Sequence, residues 1–242
     1  MNYEKEHIIQ CGDAKIHCYE SGTGAPVVLL HGNGEDSGYW ENQRPVLLRA
    51  GYRVIAMDSR GHGQSGAGWQ GLSFALFAED LRTVLDALGV KRAHIIGFSD
   101  GGNLALKFAL TYPQYVDRLV LNGANIEMLN GVLPSVQLPL YPIVGTLALA
   151  GKVSAKAKHK HDVLALMTRD YGVTWNDLRT IEAPTLVIVG EHDLILGSHS
   201  RRIAEALQNG TFCSIDGAGH FCAAESPARF NLTVLRFLRG EI

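Results

Sequence analysis

Short apolar runs alternate with longer segments of helical periodicity along most of the chain. Alternating residues 8–10 and 15–20 predict a first β-hairpin with Gly12 and Asp13 at its turn. Further strands are predicted over residues 27–30, 52–57, 93–96, 116–121, 185–189 and 211–215. Helices are predicted over 39–50, 74–88, 103–111, 198–208 and 227–239. Because strands and helices alternate, we expect an α/β fold with a mostly parallel central sheet flanked by helices.

The alternation stops between Asn125 and Trp175 and then resumes. We therefore expect residues 1–124 and 176–242 to form one core domain, with residues 125–175 inserted as a small helical lid. Residues 131–151 carry no charge and are long enough to raise the question of a membrane span. Prolines and glycines interrupt this stretch, which favours lid helices over an apolar pocket and argues against stable membrane insertion.

The first part of the lid is apolar. We expect Leu138, Ile143 and Leu147 to contact an acyl or aromatic group of a substrate, because small-molecule pockets are mostly apolar. Packing within the lid explains the same residues equally well, so both interpretations stay open.

The second part of the lid is basic. Lys152, Lys156 and Lys160 recur at i, i+4 and i+8 and would share one helical face if the helix reaches back to Lys152. We expect that face to be a solvated outer surface, with attraction of an acidic substrate as the alternative. His159 and His161 have too few potential ligands nearby to indicate a metal site.

Composition narrows the class of protein. The 242 residues are 46% apolar and 19% charged, as in an ordinary globular enzyme, and the net charge of −2 gives no reason to expect nucleic-acid binding. No apolar signal-peptide segment is visible at the N-terminus. The scattered Cys11, Cys18, Cys213 and Cys222 form no C-x-x-C pair, so we expect reduced thiols in a cytoplasmic protein; a disulfide is the alternative, with no pairing indicated.

The strongest chemical signal is the pentapeptide Gly97-Phe98-Ser99-Asp100-Gly101, which follows a buried strand and precedes a helix. A sharp strand-to-helix turn of this kind exposes the serine hydroxyl at the N-terminus of the helix. Glycines are needed on both sides, since a Cβ there would collide with the neighbouring strand or helix. We predict Ser99 to be a nucleophile; a capping serine at an ordinary turn is the alternative.

A serine hydroxyl needs a general base, and the base needs a partner that orients it. His220 follows the last predicted strand, and Asp193 follows the strand before it. Ligands bind at the carboxyl ends of the strands in such sheets, so both residues lie at the expected edge. We predict His220 as general base and Asp193 as its orienting carboxylate. Weaker candidates are Glu191 for the carboxylate and His31, His62 and His192 for the base.

Acyl transfer also needs donors for an oxyanion. One predicted donor is the backbone N–H of Asp100, the residue after the nucleophile. The other is the N–H of Asn33, in the loop after the strand at residues 27–30. Its neighbours Gly32 and Gly34 let the backbone approach a substrate closely, and we place Gly32 among the substrate contacts. A plain tight loop is the alternative interpretation.

Taken together, these segments resemble the α/β-hydrolase superfamily over nearly the whole chain. The matching segments are His31–Gly34, Asp58–Ser65, Gly97–Gly102, Gly190–Asp193 and Gly219–His220. The resemblance implies hydrolysis through a covalent acyl-serine without a metal or organic cofactor, and it implies a structural role for Asp58–Ser65. The elbow is also similar to that of valacyclovir-hydrolase-like enzymes, which implies that the Asp100 side chain receives a substrate ammonium.

The predicted function is therefore a serine hydrolase of small carboxylic esters or lactones. A C–C bond hydrolase of vinylogous diketones is the alternative within the fold, because it uses the same three residue types. A non-catalytic ligand-binding protein on the same scaffold is an alternative of a different class. We expect a small-molecule substrate and a monomer or homodimer.

Overall fold

The computed structural model describes residues 4–242. Its described part contains one eight-stranded sheet. The strands are β1 (Lys5–Cys11), β2 (Ala14–Ser21), β3 (Pro26–Leu30), β4 (Arg53–Met57), β5 (Ala93–Phe98), β6 (Val116–Asn122), β7 (Thr185–Gly190) and β8 (Gly210–Ile215). They lie in the order β1-β2-β4-β3-β5-β6-β7-β8. Every predicted strand is present, and the first two form the predicted hairpin.

The sheet is mostly parallel, as predicted. β1 and β2 pair antiparallel, β2 joins β4 antiparallel, and the strands from β4 through β8 are all parallel. The central strands are buried on both faces, which is why Val27–Leu30 reads as a continuous apolar run. Their carboxyl ends lie at one edge, so the loops that follow β3, β5, β7 and β8 come together there.

Helices cover both faces of the sheet. One apolar cluster packs beneath α2 (Phe74–Ala87), α3 (Asp100–Thr111) and α8 (Gly197–Ala206). The other packs beneath α1 (Arg44–Arg49) and α10 (Pro227–Leu238). The remaining helices are α4 (Met128–Gly131), α5 (Pro134–Ala150), α6 (Ala155–Ala165), α7 (Trp175–Leu178) and α9 (Cys222–Glu225).

The predicted helix over residues 39–50 is divided in the structure. A 3-10 helix spans Ser37–Asn42, and α1 begins only at Arg44. Pro45 lies in the first turn of α1, where its missing N–H costs nothing, whereas inside one continuous helix it would remove a hydrogen bond. Proline placement therefore sets this boundary.

The lid is formed by α4, α5, α6 and a 3-10 turn over Leu166–Thr168. Its first residues are attached to the loop after β7: the Leu133 N–H donates to the Leu194 carbonyl at 2.9 Å, and the Leu196 N–H donates to the Gly131 carbonyl at 2.9 Å. Contrary to expectation, α5 continues through its internal prolines as one helix of 17 residues. No helix among residues 4–242 is long and apolar enough to cross a membrane.

Candidate active site

Ser99 sits at a strained turn between β5 and α3. Its φ of 52° makes it the one non-glycine residue with positive φ in the described chain. The turn is possible only because the surrounding backbone packs very closely: a Cβ on Gly101 would lie 2.2 Å from the Leu30 carbonyl oxygen. An L-residue with positive φ is costly and is found mainly at functional sites. The elbow therefore presents the Ser99 side chain in the predicted geometry.

The structure brings Ser99, His220 and Asp193 together. Nε2 of His220 lies 3.1 Å from Oγ of Ser99, and its Nδ1 lies 2.7 Å from Oδ1 of Asp193. The same Asp193 oxygen also accepts the N–H of Ile195 at 2.8 Å, which fixes the carboxylate. Gly123 lies against the imidazole, and a Cβ there would come within 2.9 Å of the His220 ring. This chain of contacts can move a proton from the serine hydroxyl to the imidazole.

The predicted oxyanion donors lie on two adjacent segments. Asp100 begins α3, where backbone N–H groups have no acceptor within the helix. Asn33 is joined to it through side chains: its Nδ2 donates to Oδ2 of Asp100 and to the Val163 carbonyl, each at 2.8 Å. Asn33 thereby links the loop after β3, the elbow and the lid.

A cavity of about 230 Å³, partly open to solvent, lies above Ser99 and His220. It is small compared with typical ligand pockets, which suits a small substrate. The side chains that line it are mostly apolar. They belong to Asn33, Glu35, Phe98, Ser99, Asp100, Asn125, Met128, Val132, Val136, Gln137, Leu140, Met167, Leu194, Ile195, His220 and Phe221.

The predicted substrate contacts from the lid are not in this cavity. Leu138 is 58% exposed, and Ile143 and Leu147 line a separate shallow groove on the lid. α5 instead turns Val136, Gln137 and Leu140 toward Ser99. These three residues lie within about one helical turn and share a face of the helix. The expectation for Leu138, Ile143 and Leu147 is corrected accordingly, because α5 has no charged residue whose position would show which face is turned outward.

Gly32 also lies outside the lining. Its Cβ position is filled by the Phe98 ring at 2.9 Å, and its N–H donates to Oε2 of Glu35 at 3.2 Å. Gly32 therefore shapes the loop after β3 rather than contacting the cavity. Sequence reasoning missed Glu35, although it stands just after the polar loop that contains Asn33.

The electrostatics of the cavity are set by carboxyl groups. Burial raises the pKa of Glu35 to about 7. Burial likewise raises the pKa of Asp100 to about 6, against the hydrogen bonds from Asn33 and Asn103 that favour its charged form. No lysine or arginine appears among the described lining residues. The site therefore disfavours anions and can accept a neutral or cationic group.

The other candidate bases have different surroundings. His31 is buried, and its Nε2 accepts the Ser59 N–H at 3.0 Å. His62 packs against it with ring centroids 5.2 Å apart, and burial lowers the pKa of His62 to about 4. His192 has a side chain that is 71% exposed. Of the histidines weighed as bases, His220 alone contacts Ser99 within the described chain.

Glu35 makes the stability of this protein depend on pH. Its pKa lies above the ordinary value of 4.5, so the folded state holds this proton more tightly than the unfolded state does. Its contribution to the free energy of unfolding therefore falls as pH rises from about 4.5 to 7. Glu35→Gln keeps an acceptor for Gly32, so its melting temperature should exceed that of wild type at pH 8, and the difference should shrink toward pH 4.5.

Thermal melts across this pH range check the expectation. Glu41→Gln is the matched control, because Glu41 is exposed on the neighbouring 3-10 helix. Parallel curves for wild type and Glu35→Gln at all pH values would contradict the assignment of a raised pKa to Glu35.

Comparison with known proteins identifies the family. A family model described as alpha/beta hydrolase fold matches residues 25–143. A relative from Caulobacter sp., the putative carbamate hydrolase RutD, is 31% identical over an alignment of 259 positions that covers 94% of this chain and 95% of the relative. The chain belongs to the α/β-hydrolase superfamily.

Two further proteins show comparable identity to this chain. A 2-hydroxy-6-oxononadienedioate/2-hydroxy-6-oxononatrienedioate hydrolase from Paraburkholderia phymatum is 31% identical, over 93% of this chain and 91% of the relative. A solved N-acyl homoserine lactone degrading enzyme superposes with a TM-score of 0.76 at 28% identity, over 98% of this chain and 100% of that one. The relatives differ in reaction, so superfamily membership supports a hydrolase without fixing the bond that is cleaved.

Proposed function

We propose that this α/β hydrolase cleaves small carboxylic esters or lactones through an acyl-serine intermediate. The observation that carries the proposal is the hydrogen-bonded series from Ser99 through His220 to Asp193, placed beneath a small and mostly apolar cavity. The similarity to a lactone-degrading enzyme supports the same bond class.

The first half-reaction forms the acyl-enzyme. Oγ of Ser99 attacks the ester carbonyl carbon while Nε2 of His220 takes the hydroxyl proton, and Asp193 stabilises the imidazolium. The N–H groups of Asp100 and Asn33 receive the oxyanion. The C–O bond to the leaving group then breaks, and His220 gives its proton to the departing alkoxide.

The second half-reaction returns the enzyme to its starting state. A water molecule attacks the acyl carbon, and His220 takes its proton. The tetrahedral intermediate collapses by breaking its bond to Oγ of Ser99, which receives the proton back from His220. The products are one carboxylic acid and one alcohol, or a single hydroxy acid when the substrate is a lactone.

The name of one relative favours the C–C hydrolase alternative, whereas the charges that line the cavity argue against it. The name of the Paraburkholderia phymatum relative describes a dicarboxylate as its substrate. In this chain the lining contributes Glu35 and Asp100 and no lysine or arginine within the described residues. The described lining therefore supplies no cation to pair with the carboxylates of a dicarboxylate, so a neutral ester suits the cavity better.

Labelling and turnover together test the proposal. A fluorophosphonate probe should label wild type but not Ser99→Ala, and p-nitrophenyl esters of short acids should be hydrolysed by wild type. Labelling without ester turnover would contradict the proposal. Cleavage of a dienoic diketone would then indicate the C–C hydrolase, and inertness toward both substrates would indicate a binding protein.

We further propose that Asp100 receives an ammonium group, as in aminoacyl esters. Its carboxyl group is buried at the cavity wall and is held by the side-chain amides of Asn33 and Asn103, at 2.8 and 3.4 Å. Within residues 4–242 it forms no ion pair with Lys, Arg or His. A substrate ammonium would supply the cation that this carboxylate lacks.

Asp100→Asn tests that assignment. Wild type should prefer L-valine ethyl ester over ethyl 3-methylbutanoate, which lacks only the amino group. The variant should lose roughly 10- to 100-fold of that preference in kcat/KM, the range of a hydrogen bond to a charged group. Glu35→Gln is the comparison, because it removes the other carboxylate of the cavity. An unchanged preference in Asp100→Asn would overturn the ammonium assignment.

A further inference from the structure

The lid carries an apolar helix that the rest of the chain does not cover. α5 spans 17 residues without a charged side chain, and Gln137 is its one buried residue. Helices of globular proteins normally bury one apolar face and expose a polar one. α5 presents apolar side chains to the cavity, to α6 and also to solvent.

Most of the large apolar side chains exposed on the described surface lie in this lid. Leu149 is 67% exposed and Val153 is 91% exposed. Exposed patches of this kind mark interaction sites in soluble proteins. The exposed set from the lid is Leu129, Leu133, Leu138, Tyr141, Ile143, Leu149 and Val153, together with Val136, which also lines the cavity.

A positive charge borders this apolar surface. Between Met128 and His161 the sequence holds four lysines and no acidic residue, in a chain whose net charge is −2. Lys160 lines one shallow groove with Ile143 and Leu147, so the basic and apolar parts are contiguous. Lys158 is paired with Asp162 at 2.6 Å. Lys152, Lys156 and Lys160 are exposed and form no ion pair within residues 4–242.

We propose that the α5–α6 face of the lid docks reversibly on an anionic lipid surface. Such a surface has an apolar acyl boundary beneath negatively charged headgroups. The uncharged helix α5 suits the acyl boundary, and the unpaired lysines beside it suit the headgroups. The contact is peripheral, which agrees with the absence of a spanning helix among the described residues. A two-fold pairing of two copies through this face would bring both sets of lysines into one interface, where residues 128–161 offer no acidic partner, so a second copy fits it less well.

Vesicle sedimentation with the full chain tests the proposal. The protein should sediment with vesicles of phosphatidylcholine containing about one-third phosphatidylglycerol, and much less with phosphatidylcholine alone. Binding should weaken as salt is raised toward about 1 M, where screening shortens the Debye length to about 3 Å.

Matched variants separate the two parts of the surface. Lys152→Gln, Lys156→Gln and Lys160→Gln combined should reduce partitioning on the order of 100-fold, since each lysine near an anionic surface contributes roughly fivefold. Lys5→Gln, Lys15→Gln and Lys91→Gln combined remove the same charge from exposed positions elsewhere and should have little effect.

A second pair of variants, one in the lid and one elsewhere as a control, tests the apolar part of the surface. Leu149→Gln with Val153→Gln should also weaken binding, whereas Ile8→Gln with Leu232→Gln, exposed on β1 and α10, should not.

Three outcomes would overturn the proposal. The first is no binding to anionic vesicles, and the second is equal loss in the lid variants and their controls. The third is a wild-type dimer in sedimentation velocity, without lipid, that becomes a monomer in Leu149→Gln with Val153→Gln. That result would identify the face as a contact between two copies of the chain. Far-ultraviolet circular dichroism and thermal melts report on the folding of every variant.

Discussion

His220→Ala should lower kcat for ester hydrolysis on the order of 10⁴- to 10⁶-fold, the range found when a member of such a triad is removed. The physical reason is the single contact of 3.1 Å between Nε2 of His220 and Oγ of Ser99. Without that base the hydroxyl stays protonated during attack and the leaving alkoxide receives no proton. The loss corresponds to about 5–8 kcal/mol of transition-state stabilisation.

His192→Ala is the matched control. His192 adjoins Asp193 in the chain, yet its side chain is 71% exposed and it makes no contact with Ser99. Its removal should leave kcat within a factor of about two, as is usual for exposed surface positions. Steady-state kinetics on one p-nitrophenyl ester measures both variants. Near-normal turnover by His220→Ala would show that another group deprotonates Ser99.

The convergence of Ser99, Asp193 and His220 follows from features that the sequence displays. Ser99 comes directly after β5, and Asp193 and His220 lie in the loops that follow β7 and β8; parallel strands bring their carboxyl ends to one edge. The glycine-flanked serine adds the elbow, because only glycine allows the close approach of backbone that Gly101 shows. Strand positions and the contacts between these loops were therefore predictable without coordinates.

The lining of the cavity was not predictable in the same way. A sequence pattern orients a helix when one face is polar, and α5 has no charged residue to mark its outer face. The prediction therefore chose Leu138, Ile143 and Leu147, whereas the structure turns Val136 and Leu140 toward Ser99. The side that faces inward is set by tertiary contacts, among them the backbone hydrogen bonds between the lid and the loop after β7 and the bond from Nε2 of Gln137 to the Met167 carbonyl at 2.9 Å.

The role of Glu35 was hidden for a different reason. A glutamate in a polar loop looks exposed in the sequence, whereas Glu35 is half-buried in the structure because its loop packs against the elbow. Tertiary burial raises its pKa to about 7, and no local pattern reports that environment. The acidic character of the cavity, which favours neutral or cationic substrates, is accordingly a structural finding.

Arg60→Met should lower the free energy of unfolding by about 3–5 kcal/mol, the cost of breaking a buried ion pair by removing one partner. The Arg60 side chain is fully buried, and hydrogen bonds from its guanidinium reach both carboxylate oxygens of Asp80 at 2.7 and 2.8 Å. It also pairs with Asp13 and donates to the Cys11 carbonyl at 2.9 Å. The hydrogen bonds with Asp80 raise the pKa of Arg60, so the network holds its charge.

Urea denaturation of matched variants measures that contribution. Arg82 forms a pair with Asp86 at 2.7 Å on the surface of α2, with both side chains more than one-third exposed, so Arg82→Met should cost less than about 1 kcal/mol. Adding Asp80→Leu to Arg60→Met should recover part of the loss, because one unpaired buried carboxylate is removed with its partner. Equal losses of unfolding free energy for Arg60→Met and Arg82→Met would show that the buried network stabilises the loop after β4 no more than an exposed ion pair does. The structural role expected for Asp58–Ser65 would then lack its main support.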